Sequence, residues 1–321
     1  ISASRDGSVR VWPIPRPRWE WLAGRRHIDD RVNDFAWSNS GATLVMAEMS
    51  RTKRHAWPGG TLQEETEWFG NSGSDPMGFV CESVACCGEG KIVATGHRDG
   101  RVLIWGSSQA GPERVLTQCV NDAHVWALKF SPDGKRLVAA IRDDNRLKIW
   151  NTDTWEELCD ITAADCDDIA FSSCGQWLAY CDGREAVLLE MDTLKPGRRF
   201  RGHSITVHGL AFAADDSALA TACEDRKLRV WDPRTGELLQ TLSGHTASIQ
   251  RVTFSRDGAT LVSGDADGVI KLWHLESGQE LFTLAQFGFG IRKLQFDNSG
   301  SVLLACTEDG RVHAFEGQAA P

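Results

Sequence analysis

One feature constrains this chain more than any other: an aromatic or apolar marker closes a similar phrase eight times. The markers are Trp12, Trp57, Trp105, Trp150, Met191, Trp231, Trp273 and Phe315, spaced by 45, 48, 45, 41, 40, 42 and 42 residues. Spacing this even is the signature of a repeat architecture. The phrase from Val125 to Trp150 reads VWALKFSPDGKRLVAAIRDDNRLKIW. VWALKF alternates as a strand does, and SPDG supplies turn chemistry, Pro fixing φ and Gly accepting positive φ. KRLVAAI is a second short strand, and Asp143 and Asp144 form a tight turn before a third, RLKIW. The pattern recurs at 207–231, 251–273 and 292–315, and a fourth strand precedes most units, as in GELLQTLSGH at 236–245.

The unit is therefore a four-stranded antiparallel meander that cannot bury both its faces alone. Stacking such sheets around an axis covers them and leaves only short outer edges. The expected fold is all-β, a β-propeller of four-stranded blades. Residues 32–315 hold seven complete a–b–c units, within a propeller expected at 13–321, and residues 1–12 form a partial blade of strands b and c. Seven blades are favoured because PIPRP at 13–17 reads as a stiff linker. PRWEWLAG at 17–24 would then supply the last outer strand. Eight blades are the alternative, with 1–24 as an incomplete first one.

The pairs Gly202-His203 and Gly244-His245, with Val230-Trp231-Asp232 and Leu272-Trp273, carry a specific resemblance. On these residues the chain resembles the WD-repeat (WD40) family over nearly its whole length. The resemblance implies a buried network in each blade, built from a His after Gly, a Ser or Thr of strand b, a turn Asp and the strand-c Trp. Counting back from each marker puts the Asp six residues earlier and the hydroxyl ten earlier. His203, Thr221, Asp225 and Trp231 match in full, as do His245, Ser263, Asp267 and Trp273. His124, Asp144 and Trp150 have Ala140 in place of the hydroxyl. Thr95, Asp99 and Trp105 have no obvious His, and Phe315 keeps Asp309 alone. Glu185 before Met191 and Arg51 before Trp57 mark two less well braced blades. A His–hydroxyl–Asp set also invites a hydrolase reading, but partial copies around a ring read as structural pairing of buried polar groups.

Composition narrows the function. There are 44 acidic against 35 basic side chains, a net charge of −9, where a nucleic-acid surface would carry a basic stripe. No run approaches the roughly 20 apolar residues that cross a bilayer. No signal peptide or Asn-x-Ser/Thr acceptor is visible, so a cytoplasmic location is expected. The chain opens on Ile1 inside a strand pattern, and upstream sequence is expected. Cys159, Cys166, Cys174 and Cys181 lack the Cys-x-x-Cys knuckle of structural zinc sites and read as small thiols. No phosphate loop, zinc-protease or nucleophile-elbow motif occurs, and the Asp-Gly pairs Asp6-Gly7, Asp99-Gly100, Asp267-Gly268 and Asp309-Gly310 read as hairpin turns. No cofactor or metal is expected.

Two repeat positions escape the pattern and are candidates for recognition. Before the turn acidic residue stand Arg5, Ser50, Arg98, Asp143, Arg184, Glu224, Ala266 and Glu308. Four residues before the strand-a aromatic stand Arg31, Cys81, Trp126, Asp167, His208, Gln250 and Arg292. Arg98, Trp126, Arg184, His208, Glu224, Gln250, Arg292 and Glu308 are taken as a top-face binding set for a peptide or protein segment, basic early and acidic late. Trp19, Trp21, Trp68, Trp155 and Trp177 are further, less constrained aromatics. The expected function is a non-catalytic interaction scaffold, a monomeric propeller within a larger chain. The repeats resemble C-terminal regions of bacterial signalling proteins with a Ser/Thr kinase or ATPase module. The alternative is a propeller hydrolase or lyase, for which Asp167, Asp168 and His208 are the candidate groups at the channel mouth.

Overall fold

The computed structural model describes residues 2–3, 9–10, 31–38, 41–48, 51–56, 61–67, 80–88, 90–106, 112–117 and 123–316. Among them there is no helix, and the strands form seven successive propeller blades preceded by a short antiparallel pair, Ser2–Ala3 with Val9–Arg10. The markers Trp12 and Trp57, the residues Arg5, Ser50, Trp19, Trp21 and Trp68, the Asp6-Gly7 turn, the 13–17 linker and the strand expected at 17–24 lie outside the described residues.

The chain divides into two compact units, Trp21–Asp167 and Ile1–Glu20 with Asp168–Pro321. The first unit holds blades one to three, whose inner strands a are Val32–Trp37, Cys81–Cys87 and Val125–Phe130. The second holds blades four to seven, with strands a at Ile169–Phe171, Val207–Phe212, Ile249–Phe254 and Ile291–Phe296. Each blade is an antiparallel meander in the order a-b-c-d; the seventh shows strands a to c among the described residues.

Why the middle strands read as unbroken apolar runs is clear from blade two. Its strand c, Val102–Trp105, is buried at every position. Val102 and Ile104 pack into the core shared with Leu128, Leu137 and Trp150 of blade three. Leu103 and Trp105 pack the other way, with Val45 and Ala47 of blade one. Blade six repeats this: Leu261 and Trp273 face blade five, and Ile270 and Leu272 face blade seven. Strands d, by contrast, are largely exposed, as in Lys195–Phe200 and Leu238–Ser243. A strand buried on both faces gains by having no polar alternation.

The a–b turns follow their sequence. Ser131 Oγ donates to Asp133 Oδ1 at 2.6 Å, Lys135 N donates to the same oxygen at 3.0 Å, and Gly134 takes φ +72°. Ser255, Asp257 and Gly258 repeat the arrangement. Strand pairing also corrects two markers. Leu44 and Leu178 of strands b pair with His55 and Leu189, as Leu219 and Leu261 pair with Trp231 and Trp273. His55 and Leu189, not Trp57 and Met191, therefore stand in the register of the strand-c Trp. The hairpins before them are one residue shorter than those before Trp231 and Trp273, and the counted markers lie two residues past the paired positions in sequence.

Candidate functional site

The four-residue sets are buried bracing, although their members differ from those expected. In blade six Trp273 Nε1 donates to Ser263 Oγ at 2.8 Å, Ser263 lies 2.7 Å from His245 Nε2, and His245 Nδ1 lies 2.7 Å from Asp265 Oδ2. The carboxylate is Asp265, at the end of strand b, and not Asp267. Asp265 also accepts from the backbone N–H of Asp267 and Val269, while Asp267 is exposed at the turn tip. Burial opposes ionisation of Asp265, but the hydrogen bond from His245 and those amides hold its carboxyl below the usual range. The His245 and Asp265 side chains are 0% and 1% exposed, and Ser263 is fully buried. No substrate can reach that hydroxyl.

Blade five keeps the His203–Thr221–Trp231 part, with Thr221 Oγ1 2.8 Å from His203 Nε2 and 3.0 Å from Trp231 Nε1. Asp225 turns instead to Arg229, at 2.8 Å, and to Ser204 Oγ, at 3.1 Å. The position equivalent to Asp265 is Cys223, whose thiol burial pushes up to about 11. Burial, with Arg229 nearby, pushes the His203 imidazole down to about 4. Blade two supplies the His that sequence reasoning missed. His97, two residues after Thr95 on the same strand, lies 2.9 Å from Thr95 Oγ1, which accepts from Trp105 Nε1 at 2.8 Å. Asp99 pairs with Arg101. In blade three His124 is not part of a buried set: it accepts from Arg98 Nε at 3.3 Å near the surface, and Asp144 is exposed. In blade seven Thr307 Oγ1 donates to Asp309 at 2.5 Å. Glu185 lies in strand c of blade four, where Arg199 and Arg201 bridge it and Asp182. Arg51 and Lys53 bridge Glu48 in blade one. Ion pairs at the hairpin thus stand where the buried relay is missing.

The variable strand-a position has a backbone cause. Pairing of strands a and b slips by one residue at the start of six blades, leaving one extra residue on strand a each time. A β-bulge of this kind leaves one residue outside the ladder and re-aims its side chain. The bulged residues are Asn33, Glu82, Trp126, His208, Gln250 and Arg292, each half-buried between a buried apolar residue and the ladder. Trp126, His208, Gln250 and Arg292 were found by counting. Arg31 and Cys81 were not the right positions: Cys81 is fully buried, and the register gives Asn33 and Glu82. The residues beside the bulges tie neighbouring blades together. Val84 N donates to Asp34 Oδ2 at 2.8 Å and Ser83 Oγ to the Val125 carbonyl at 2.8 Å. In the second unit Arg251 reaches the carbonyls of Arg292 at 2.7 Å and His208 at 3.0 Å. The pre-turn residues Arg98, Asp143, Arg184, Glu224, Ala266 and Glu308 are all exposed.

In the first unit five side chains around these positions meet. His124 and Trp126 stack with ring centroids 6.4 Å apart. The Arg142 guanidinium sits 5.4 Å from the Trp126 ring and 3.3 Å from Asp167, and Arg98 closes on His124. In the second unit Phe289, which no repeat position marks, is 51% exposed. Its loop is held on both sides, Phe287 N donating to the Gly268 carbonyl and Glu308 N to that of Gly290, each at 2.9 Å. A Cβ on Gly268 would lie 2.3 Å from the Phe289 carbonyl, so glycine is required for that close approach.

The groups considered for catalysis have structural work. Asp168 accepts from Leu210 N at 3.0 Å and Ile169 N at 2.9 Å, and Asp167 is a buried partner of Arg142. Among the described residues no group of three His, Cys, Asp or Glu comes together to hold a metal. Cys166 and Cys181 are buried, Cys159 is half-buried and Cys174 is exposed.

Comparison with known proteins places these blades. The family model described as WD domain, G-beta repeat matches residues 114–151, 194–232 and 236–274. Each match begins at or just before the outer strand of one blade and runs through strands a to c of the next. Similar proteins include FIZZY-RELATED 2 of Arabidopsis thaliana, 26% identical over 238 residues, 70% of this chain and 46% of that protein. An uncharacterized WD repeat-containing protein of Synechocystis is 30% identical over 125 residues, 37% of this chain and 35% of that protein. A guanine nucleotide-binding protein subunit beta of Oryza sativa subsp. japonica is 24% identical over 243 residues, 71% of this chain and 61% of that protein. The chain spans less than two thirds of the length of each of them.

Proposed function

Because this chain is a WD-repeat protein built of propeller blades, a class whose members are generally non-catalytic interaction scaffolds, we propose that it docks peptide or protein segments on the bulge and b–c turn side of its blades. The strand-a bulge carries this reading. It repeats at one register, its flanks are fixed by burial and blade-to-blade hydrogen bonds, and its own side chain changes chemistry from blade to blade. A rigid frame with freely varied, half-exposed side chains is what recognition needs. Trp126 and Arg142 in the first unit, and Phe289 in the second, are of the types that anchor interfaces. Within the second unit Arg184 is basic and Glu224 and Glu308 are acidic, which suits a partner of mixed charge. The finer reading is a docking or sensing module of a larger bacterial signalling protein, supported by the repeat resemblance.

The test is affinity capture with wild type and with a Trp126→Ala/Arg98→Glu/Arg184→Glu variant carrying Phe289→Ala. Loss of specific partners by a folded variant is expected. Identical partner sets would remove the proposal.

A further inference from the structure

Blade four carries a second recess, away from the strand-a bulges. Its outer strands are Glu185–Glu190 and Lys195–Phe200. Pairing sets Trp177 opposite Glu190 and Glu190 opposite Lys195, so these three share one row. One residue further in, the outer strand bulges between the pairs Val187–Arg199 and Leu189–Pro196, so that Gly197 and Arg198 together oppose Leu188. The bulge turns the strand away and opens a pocket of about 520 Å³ lined by Trp177, Leu188, Glu190, Lys195, Arg198 and Arg234.

The far wall comes from the c–d turn of blade five. Arg198 Nη1 donates to the Pro233 carbonyl at 2.8 Å, and its stem lies where a Cβ on Gly236 would be, 2.6 Å from Cδ. That fixes one guanidinium at the pocket wall. Lys195 and Arg234 are exposed at its rim, and among the described residues neither forms an ion pair. Two carboxylates stand close by and keep their charge: Glu190, which accepts from Thr193 Oγ1 at 3.1 Å, and Asp232, which accepts from the backbone N–H of Arg234 and Thr235 outside the pocket lining. Three cations against one lining carboxylate make the recess positive on a chain of net charge −9. The indole adds a flat apolar wall, and the volume is that of a small-ligand site.

We infer that this pocket binds a small phosphate bearing a planar ring, the ring against Trp177 and the phosphate among Lys195, Arg198 and Arg234. Arginine and lysine recognise phosphate by charge-assisted hydrogen bonds, and an indole face takes a flat ring by stacking. A free nucleoside monophosphate and a phosphotyrosine side chain share this chemistry.

Isothermal titration of the intact chain with AMP, phosphotyrosine, adenosine and inorganic phosphate tests it. One saturable site for AMP or phosphotyrosine is expected, with adenosine and phosphate each at least about tenfold weaker. The tighter of the first two identifies the source. Lys195→Glu/Arg234→Glu, at two exposed positions that leave the core intact, is expected to weaken binding at least about tenfold, and Trp177→Leu to weaken AMP more than phosphate. Absence of saturable binding by both ring-bearing phosphates at several millimolar would overturn the inference, as would unchanged binding in the charge-reversed variant. Equal affinity for inorganic phosphate, or for adenosine, would overturn it too.

Discussion

His97 lies 2.9 Å from Thr95, two residues back along its own strand. The same hydroxyl accepts the Trp105 indole N–H, so blade two takes from strand b itself the His that blades five and six draw from a loop. Thr95→Val would take this hydrogen bond from both buried rings. Leaving a buried donor unpaired costs about 1–3 kcal/mol, so urea unfolding should show a loss of about 2 kcal/mol or more. A change within ~0.5 kcal/mol would mean that the hydroxyl is dispensable.

The choice of carboxylate in blade six is testable by paired variants. Asp265→Ala removes the acceptor of His245 Nδ1 and of two backbone amides, and should cost about 2–4 kcal/mol. Asp267→Ala, at an exposed turn tip, should stay within ~0.5 kcal/mol. Equal effects would restore Asp267 to the network.

His203 predicts a pH dependence with a definite sign. Above pH 6.5 the ring is neutral in both folded and unfolded chains. Between 6.5 and its folded value of about 4 the unfolded chain takes up a proton that the fold excludes. Stability therefore falls as pH falls through that window, by up to ~3 kcal/mol. Subtracting the unfolding free energies of His203→Gln from those of wild type between pH 7 and 4 should isolate this slope. A pH-independent difference would be inconsistent with a neutral buried ring.

Gly96 and Gly264 follow the hydroxyl residue of strand b in blades two and six. A Cβ there would lie 2.4 Å from Val125 Cγ1 and 2.6 Å from Ile291 Cγ2, on strand a of the next blade. Gly264→Ala should destabilise by about 1–3 kcal/mol through overpacking, and Ile291→Ala in the same chain should relieve part of that. Additive losses in the double variant, measured by thermal unfolding, would show that the two do not touch.

Phe289 should separate binding from folding. It is exposed, and its loop is held by backbone hydrogen bonds on either side. Phe289→Ala should leave stability within ~0.5 kcal/mol while reducing capture of any partner docking on that unit. A drop in melting temperature with unchanged capture would assign Phe289 to the fold.

The blade pattern was legible because strands buried on both faces and Asp-Gly turns recur at a fixed period. Register was less so. Trp57 and Met191 misled because they lie two residues past the paired positions 55 and 189, after a hairpin one residue shorter, so every offset counted from them is shifted. Asp267 falls at the offset counted from Trp273, and only burial sets Asp265, two residues earlier, apart from it. His97 was missed because the count sought its His in a loop, and Asn33 and Glu82 because a bulge consumes a residue that periodicity does not register. Phe289 has no pattern to betray it; only its exposure does.

The three matched repeats each begin at or just before the outer strand of one blade and finish on the third strand of the next. The matched unit is thus a clasp rather than a panel. Copying or deleting one such stretch, for example 194–232, adds or removes a blade's worth of chain while blade four on its near side keeps an outer strand, that of 238–243 taking the place of 195–200. A change by whole clasps alters the number of blades without exposing a fresh sheet edge at the point where the chain is joined.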